Sequence, residues 1–436
     1  MRRKEYEYLV VGSGAAGATL ARELAKRGRP TAVIERGPYP RAVGKMRHAF
    51  RYFERGRLSP WPRRTVEGTI LWRAIVAGGS TVMSCANATR CLETELEKMG
   101  INIRQEAAEA ERELGVCPTP TTLLSESSNM IMDAADALGH TMRPMPKFIR
   151  ADRCSRCGRC VLGCPNRAKW SALEYLEDAV QHGAELICDT TVLQVLVEQG
   201  TARGVMAKGA DGTAEISAER VVLCSGGLGT PSILQSSGIA EAGTGLFADL
   251  FVNTCGVMSD GLRAGTEPVM GLICDRYRVS GGFILSPFVN YTRTARFVEF
   301  GPGALRLPSR GLVGIMTKIA DEPAGRVEPG GRAFKPVTPR DRERLKAGSS
   351  LAKEILVKAG VDERSLVLSS PQGAHPGGTA AIGKIVDTNL ETAVRNLFVC
   401  DASVLPSTPG LPPIVTIVAL AKRLAGTLAG IERSQT

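Results

Sequence analysis

A glycine-rich turn follows a short apolar run near the start of the chain. Residues 8–11 have the composition of a buried strand, and residues 12–17 match the G-x-G-x-x-G pattern of dinucleotide-binding folds. In that pattern Gly12 permits the tight turn, Gly14 lets the backbone approach a pyrophosphate, and Gly17 lets the helix pack closely on the strand. The pattern predicts a strand–turn–helix unit in which phosphate binds at the N-terminus of the helix.

A carboxylate follows at the spacing that such a unit requires. Residues 31–34 predict a second strand, and Glu35 stands at its end, eighteen residues beyond the last glycine of the motif. A carboxylate there binds ribose hydroxyls and would repel a 2′-phosphate, which argues against NADP but leaves FAD and NAD open. The residues of this segment expected to contact the nucleotide are Gly12, Gly14, Ala15, Ala16, Gly17, Glu35 and Arg36.

Later segments resemble signatures of the glucose–methanol–choline (GMC) oxidoreductase family. Residues 77–87 resemble its second glycine loop, which runs beside the flavin, and residues 226–239 resemble its second signature, which ends a strand and opens a helix. Three motifs near the end of the chain complete the resemblance, at 375–379 (HPGGT), 396–406 (NLFVCDASVLP) and 416–421 (TIVALA). The motifs occur in family order, and the resemblance implies that the nucleotide is FAD.

The resemblance also implies the fold class and its division into domains. We expect an α/β protein with an FAD-binding Rossmann-like domain of GMC type, an antiparallel-sheet substrate domain and a cysteine-rich cluster loop. The expected boundaries are an FAD-binding first part over 1–255 with the cysteine-rich insertion at about 150–170, a substrate-binding domain over 256–364, and an FAD-binding C-terminal return over 365–436.

Further flavin contacts follow from the same resemblance. By analogy with the family, Asp401 contacts the ribityl or phosphate region, and a helix from about Ile414 points its N-terminus at the isoalloxazine ring. That helix would present partial positive charge to a reduced, anionic flavin. The expected contacts outside the first motif are Gly78, Gly79, Ser80, Asn87, Val192, Gly226, Asp401, Ala402, Pro413 and Ile414.

The segment between the second and third groups of motifs matches the family least. Residues 282–285 and 296–300 have the composition of strands and are predicted to belong to the substrate sheet. Because this segment is short for such enzymes, we expect a pocket that is more open than usual or is completed by a partner subunit.

One histidine lies in a family motif. His375 matches the family's active-site histidine, and its ordinary pKa near 6.5 suits an acid or base at neutral pH, although a structural histidine in a loop is the alternative. The family pairs this histidine with an asparagine or a second histidine, but Pro412 stands at that position here. Proline has no side-chain donor. Either another residue replaces the partner, or the reaction is not an ordinary alcohol oxidation.

Four cysteines lie within eleven residues, at Cys154, Cys157, Cys160 and Cys164. Their C-x2-C-x2-C-x3-C-P spacing is that of bacterial ferredoxins and predicts a [4Fe–4S] cluster, with either the last cysteine or a remote one as the fourth ligand. Reduced thiols without metal and a zinc site are the alternatives. Some relatives that resemble cholesterol oxidase carry part of this run without a cluster.

The chain is basic, with a formal net charge of +11 and a pI near 9.2. The basic residues are scattered, which disfavours nucleic acid and favours an acidic electron carrier such as ferredoxin or an anionic substrate. No run is long and apolar enough for a membrane span, and the charged N-terminus lacks the features of a signal peptide. We therefore expect a cytoplasmic protein.

Together these features predict an FAD-dependent dehydrogenase. A CH–OH substrate would give hydride to flavin N5, and electrons would leave through the cluster to an external acceptor. Two alternatives stay open. In the first, reduced ferredoxin drives a flavin reductase of an activated C=C or C=O bond; in the second, the chain is a flavin/iron–sulfur electron-transfer subunit without its own substrate.

Overall fold

The computed structural model describes residues 6–55, 62–258, 267–289, 292–308 and 310–430. Within them the α-helices, in chain order, are α1 Ala15–Ala25, α2 Met46–Tyr52, α3 Glu93–Lys98, α4 Arg104–Leu114, α5 Glu126–Ala137, α6 Ala172–Gln181, α7 Gly226–Ser236, α8 Tyr277–Ser280, α9 Arg293–Phe300, α10 Pro339–Lys358 and α11 Ile414–Leu428.

The strands of the same residues are β1 Tyr6–Val11, β2 Thr31–Ile34, β3 Ile70–Leu71, β4 Cys117–Pro118, β5 Arg143–Pro144, β6 Pro146–Lys147, β7 Glu185–Ile187, β8 Thr191–Glu198, β9 Thr201–Gly209, β10 Gly212–Leu223, β11 Thr244–Leu246, β12 Leu250–Val257, β13 Leu272–Ile273, β14 Phe283–Pro287, β15 Leu312–Ile319, β16 Gly325–Val327, β17 Ala333–Phe334, β18 Val367–Leu368, β19 Gln372–Gly373 and β20 Leu397–Val399.

A parallel sheet forms the nucleotide half of the molecule. Strands β7, β2, β1, β10 and β20 lie side by side in that order, and the first half of β10 pairs antiparallel with β9, which in turn pairs with β8. Helix α1 packs against α6 and α11. Its Leu20 and Leu24, one turn apart, are fully buried with Leu9 and Val10 of β1. Parallel strands are covered on both faces, which explains their continuous apolar composition.

A second, mainly antiparallel sheet forms the other half. Its strands run in the order β14, β15, β12, β19, β3, with β18 also paired to β12. Helix α10 covers β12, β14 and β15. It begins with a capping box in which Thr338 and Asp341 exchange side-chain and backbone hydrogen bonds. The predicted fold class, a Rossmann-like FAD-binding half beside an antiparallel-sheet half, is confirmed.

Residues 282–285 and 296–300 were both predicted to be strands of the substrate sheet, and only the first segment forms one. Strand β14 confirms the first prediction, whereas the second was wrong because residues 293–300 form helix α9. The Thr292 hydroxyl accepts a hydrogen bond from the backbone N–H of Ala295 and caps this helix. The buried residues recur at helical rather than alternating spacing, and Phe297 is exposed.

The domain division stays a prediction, and its first boundary, at 255, falls inside β12. The predicted cysteine-rich insertion contains two single 3₁₀ turns, Ala151–Arg153 and Cys160–Leu162. Among the described residues no helix combines the length and apolar composition needed to cross a membrane.

Candidate active site

A cavity of about 1070 Å³ connects the two sheets. It extends from the C-terminal ends of β1, β2 and β10 to side chains of β12 and β15. Ligands of open parallel sheets bind at this edge. All the predicted nucleotide-contacting residues line the cavity except Gly17 and Gly78, and His375 lines it as well. The predicted residues from both ends and the middle of the sequence therefore meet around one space.

The glycine motif is built for close backbone approach. A Cβ on Gly12, whose φ is +102°, would lie 2.4 Å from the carbonyl oxygen of Cys224, and a Cβ on Gly17 would lie 1.9 Å from that of Gly12. A Cβ on Gly14 would meet no atom within 4 Å. Helix α1 begins next to it at Ala15 without a side-chain cap, so its first N–H groups are available to a phosphate. These features fit the pyrophosphate of FAD.

Glu35 joins the two glycine loops. Its Oε2 accepts hydrogen bonds from the backbone N–H of Ser13 at 3.1 Å and the Ser13 hydroxyl at 2.6 Å, and its Oε1 accepts one from the N–H of Gly37 at 2.7 Å. The same hydroxyl accepts a bond from the N–H of Gly78 at 3.1 Å, which places that glycine behind the cavity wall. Oε1 keeps acceptor capacity for a ribose hydroxyl.

Asp401 organises the cavity wall between α7 and the C-terminal segment. Its Oδ2 accepts hydrogen bonds from the N–H of Gly226 at 2.8 Å and from the Thr230 hydroxyl at 2.6 Å. Its Oδ1 accepts one from the N–H of Ser403 at 2.7 Å. The carboxylate thereby fixes the start of α7 beside the cavity.

Helix α11 begins at the cavity. Pro413 is its N-cap and no side chain caps it, so its positive end faces the space where the resemblance expects the flavin. The amide oxygen of Asn87, another residue of the cavity wall, accepts a hydrogen bond of 2.5 Å from the buried Lys147 ammonium. Val192 contributes apolar surface from β8.

His375, whose side chain is 25% exposed, lies beside the buried charges of Asp249 and Lys318. Its Nδ1 donates to Oδ2 of Asp249 at 2.8 Å, and Nζ of Lys318 lies 3.3 Å from the same oxygen. Oδ1 of Asp249 accepts a bond of 2.9 Å from the N–H of Gly410. Because a carboxylate only accepts, Nδ1 carries the proton and Nε2 of the neutral ring is left as an acceptor.

Burial and charge set the protonation of this group. Burial lowers the pKa of His375, and the nearby Lys318 charge lowers it further against the opposing effect of Asp249. Burial alone would raise the pKa of Asp249, but the Lys318 charge and the His375 hydrogen bond outweigh it, so the pKa is lowered. At neutral pH the ring is therefore a neutral base beside a charged carboxylate.

Sequence reasoning missed Asp249 and Lys318. Asp249 lies in no motif, and it reaches His375 only because strand β12 pairs with β19. Lys318 gave one usable signal, since it is a charge within the otherwise apolar run of β15. Pro412 lines the cavity with His375 but offers no side-chain donor there.

The described structure does not support the predicted iron–sulfur site at the four cysteines, although burial and then the charges of Cys160, Cys164 and Cys157 raise the pKa of Cys154, so these thiols lie near one another. Among the described residues no three His, Cys, Asp or Glu side chains are grouped so that they could hold a metal ion. Cys154 and Cys160 pack against the apolar core, whereas Cys157 is exposed. Cys164 accepts a hydrogen bond of 3.3 Å from the N–H of Ala168. The thiols thus have different environments, and none of the four lines the cavity.

An arginine cluster lies at another part of the cavity wall. Glu54 pairs with Arg36 at 3.1 Å, Arg63 at 3.2 Å and Arg73 at 3.4 Å. Burial alone would raise the pKa of Glu54, but the charges of Arg73, Arg63 and Arg36 lower it to about 2. Of this cluster the sequence motifs indicate only Arg36.

Replacing Glu54 by glutamine should destabilise the protein in a pH-dependent way. A carboxyl whose pKa falls from 4.5 to about 2 on folding stabilises the fold by about 3 kcal/mol at neutral pH. That stabilisation is present above pH 4.5 and is lost as the pH falls towards 2. Urea unfolding of Glu54→Gln and wild type should therefore differ at pH 7 and converge in acid.

A surface ion pair supplies the control for this prediction. Glu97 pairs with Arg104 at 2.7 Å, and both side chains are largely exposed. Glu97→Gln should cost less than about 1 kcal/mol. Equal losses in the two variants at pH 7 would contradict the assigned role of Glu54.

Comparison with known proteins agrees with the geometry. Models of the GMC oxidoreductase family match residues 6–252 and 336–421. An uncharacterized protein of Methanocaldococcus jannaschii is 30% identical over 427 residues, which are 96% of this chain and 98% of that protein. Long-chain-alcohol oxidase FAO3 of Arabidopsis thaliana is 25% identical over 98% of this chain and 68% of its own.

Solved structures show the same fold. Pyridoxine 4-oxidase from Mesorbium loti superposes with a TM-score of 0.76 at 18% identity, covering 98% of this chain and 100% of its own. A formate oxidase superposes with a TM-score of 0.74 at 14% identity, and 99% of each chain is covered. The chain belongs to the GMC oxidoreductase family and is an FAD-dependent oxidoreductase that acts on CH–OH donors.

Proposed function

We propose that the chain oxidises an alcohol at the end of the cavity where His375 and Asp249 lie. The observation that carries the proposal is that one cavity is lined both by the FAD motifs and by a neutral, partly buried histidine whose Nε2 has no hydrogen-bond partner among the described residues and can accept a proton. When bound, FAD supplies the acceptor for hydride. The predicted nucleotide contacts, from Gly12 to Ile414, hold it in this proposal.

The chain's own residues manage the proton. As the substrate carbon loses hydride and becomes a carbonyl, the hydroxyl proton passes to Nε2 of His375. Asp249 holds the ring in the required tautomer and stabilises the imidazolium that forms. Phe251, Phe288 and Met316 contribute apolar walls that exclude water.

The apolar walls favour a hydrophobic alcohol as substrate. The Arabidopsis relative is named a long-chain-alcohol oxidase, and one of the solved structures is named a pyridoxine 4-oxidase. Long-chain alcohols and pyridoxine are therefore suitable probes. FAD-loaded protein would be mixed without oxygen with dodecanol, hexanol, ethanol or pyridoxine while the visible flavin absorbance is followed. Bleaching by at least one alcohol supports the proposal, and failure with every alcohol would contradict it.

A second candidate adds the cluster as the exit for electrons to an acidic carrier such as ferredoxin. The four-cysteine spacing and the net charge of +11 favour it, whereas the arrangement of the thiols does not. Anaerobic purification followed by iron and sulfide assays should give about four of each per chain if the cluster exists. If the purified protein contains flavin but no iron, this candidate is excluded, and oxygen or a quinone becomes the candidate electron acceptor.

The remaining sequence predictions depend on the same measurements. If oxidised ferredoxin reoxidises the bleached flavin, and if about 0.5 M salt lowers the rate of that reaction, the result would support docking of an acidic carrier. Reduction of the flavin by ferredoxin alone would favour a C=C or C=O reductase or an electron-transfer subunit. A partner subunit that completes the pocket and a cytoplasmic location stay predictions.

A further inference from the structure

A buried lysine faces the substrate end of the cavity. Lys318 is 3% exposed, lies on β15 and lines the cavity together with His375. Opposite it in the strand register stands Phe251 of β12, and Met316 is the neighbouring inward residue of β15. An ammonium in so apolar a wall is costly unless its hydrogens are bonded.

Only part of that requirement is met by the protein. Among the described residues the acceptor of the Lys318 ammonium is Oδ2 of Asp249, at 3.3 Å. An ammonium has three hydrogens, so further donor capacity is directed to the cavity that the side chain lines. Buried donors are bonded in folded proteins, which indicates that a ligand atom or water accepts from Lys318.

Lys318 lies where it could replace the donor that is missing at Pro412. The family's asparagine would supply a donor to the substrate oxygen, and Pro412 cannot. Nδ1 of His375 and Nζ of Lys318 both contact one oxygen of Asp249, at 2.8 and 3.3 Å, so the two groups flank the same point of the cavity. Asp249 is fully buried and its other oxygen is fixed by the N–H of Gly410.

We propose that Lys318 is the catalytic donor that binds the substrate oxygen opposite His375, and that Asp249 is the positioning residue of both. The inference rests on the proposed alcohol oxidation. FAD, when bound, would take the hydride that the substrate carbon loses, while the hydroxyl proton would pass to Nε2 of His375 and the C–O bond would become C=O. Lys318 keeps its proton and stabilises the negative charge that develops on the oxygen.

The groups near Lys318 act on its pKa and on that of His375. Asp249, Cys85 and Cys91 are the groups that raise the pKa of Lys318 against the lowering effect of burial. Beyond Asp249 lies Asp321, which pairs with Lys335 at 3.0 Å. Among the described residues, Lys318 lowers the pKa of His375 further after burial, and Asp249 raises it. Removing the Lys318 charge should therefore raise the pKa of His375.

Binding of an unreactive alcohol tests the contact directly. Trifluoroethanol would be titrated into FAD-loaded protein and its dissociation constant read from the flavin spectrum. Lys318→Met, which removes the donor but keeps an unbranched side chain, should bind it about 10-fold more weakly. Lys318→Arg should retain much of the affinity. Equal affinity in wild type and Lys318→Met would overturn the proposal.

Kinetics and a matched control complete the test. With any alcohol that bleaches wild-type flavin, Lys318→Met should slow bleaching by roughly 10²-fold to 10³-fold. Lys335→Met removes another buried, carboxylate-paired lysine that does not line the cavity, so it should lower the melting temperature without slowing bleaching. If flavin bleaching were slowed equally in Lys318→Met and Lys335→Met, Lys318 would have a structural role and no role as a donor to the substrate.

A magnetic resonance titration separates this proposal from the alcohol oxidation itself. The ¹³Cε1 signals of the four histidines would be followed with pH, and His375→Asn identifies the signal of interest. Its pKa should be higher in Lys318→Met than in wild type and should stay low in Lys318→Arg. If the pKa of His375 is the same in Lys318→Met as in wild type, the proposal for Lys318 is wrong. If the pKa changes as expected but no alcohol bleaches the flavin, the proposed alcohol oxidation is wrong instead.

Discussion

Replacing His375 by asparagine should slow flavin reduction by an alcohol about 10³-fold while FAD remains bound. The expected size is that of losing a general base, and asparagine keeps polarity but cannot take the hydroxyl proton. Burial and the Lys318 charge lower the pKa of His375. The wild-type rate should therefore stay level at neutral pH and fall in acid only below the ordinary histidine pKa near 6.5. Anaerobic stopped-flow measurements across pH would record both effects.

His182 supplies the control for this variant. It lies at the end of α6, is largely exposed, and bonds the carbonyl of Asp178. His182→Asn should leave the rate and its pH profile unchanged. If His375→Asn reduced flavin at a rate within about threefold of wild type, the histidine would not be the base, and the role proposed for Asp249 would be withdrawn with it.

Two alanine variants of the glycine motif should separate folding from nucleotide binding. Alanine at position 17 would place its Cβ 1.9 Å from the carbonyl oxygen of Gly12, so α1 must move away from β1. We expect Gly17→Ala to lower the free energy of unfolding by about 3 kcal/mol, even without nucleotide, and to lose FAD. This loss would occur although alanine normally favours a helix over glycine.

Gly14→Ala should behave in the opposite way. Gly14 has a φ of −69°, which alanine adopts readily, and its Cβ would meet no protein atom within 4 Å. The unfolding free energy of the apoprotein should hardly change. The methyl group would project where the pyrophosphate approaches, so FAD affinity should fall about 10-fold or more. Urea unfolding of apoprotein and FAD titration measure the two effects, and a destabilised Gly14→Ala apoprotein would contradict this assignment.

The nucleotide half could be predicted closely because its signals are local. The strand at 8–11, the turn at 12–17, the helix behind it and the strand at 31–34 all formed as expected. Each depends on backbone conformations and apolar spacing within a few residues. The family resemblance then assigned motifs that are distant in the sequence to one flavin site.

The substrate half could not be predicted in the same way. Residues 296–300 have a strand-like composition, yet the cap at Thr292 and the packing of helix α9 decide their structure. The cysteine spacing matches a ferredoxin, but the described residues show no group arranged to hold a metal ion, and Cys157 is exposed while Cys154 and Cys160 pack against the core. Short-range patterns do not specify which surface a segment will meet.

The sequence by itself determined the FAD-binding unit, the family and the candidate base His375. Only the tertiary structure decided what surrounds that base. Asp249 is 126 residues away from His375 and 69 residues from Lys318, and no spacing rule connects them. They meet because β12 pairs with β15 and β19, which brings the three side chains into one apolar wall. There burial forces the charges to pair, and the pairing sets the protonation of the histidine.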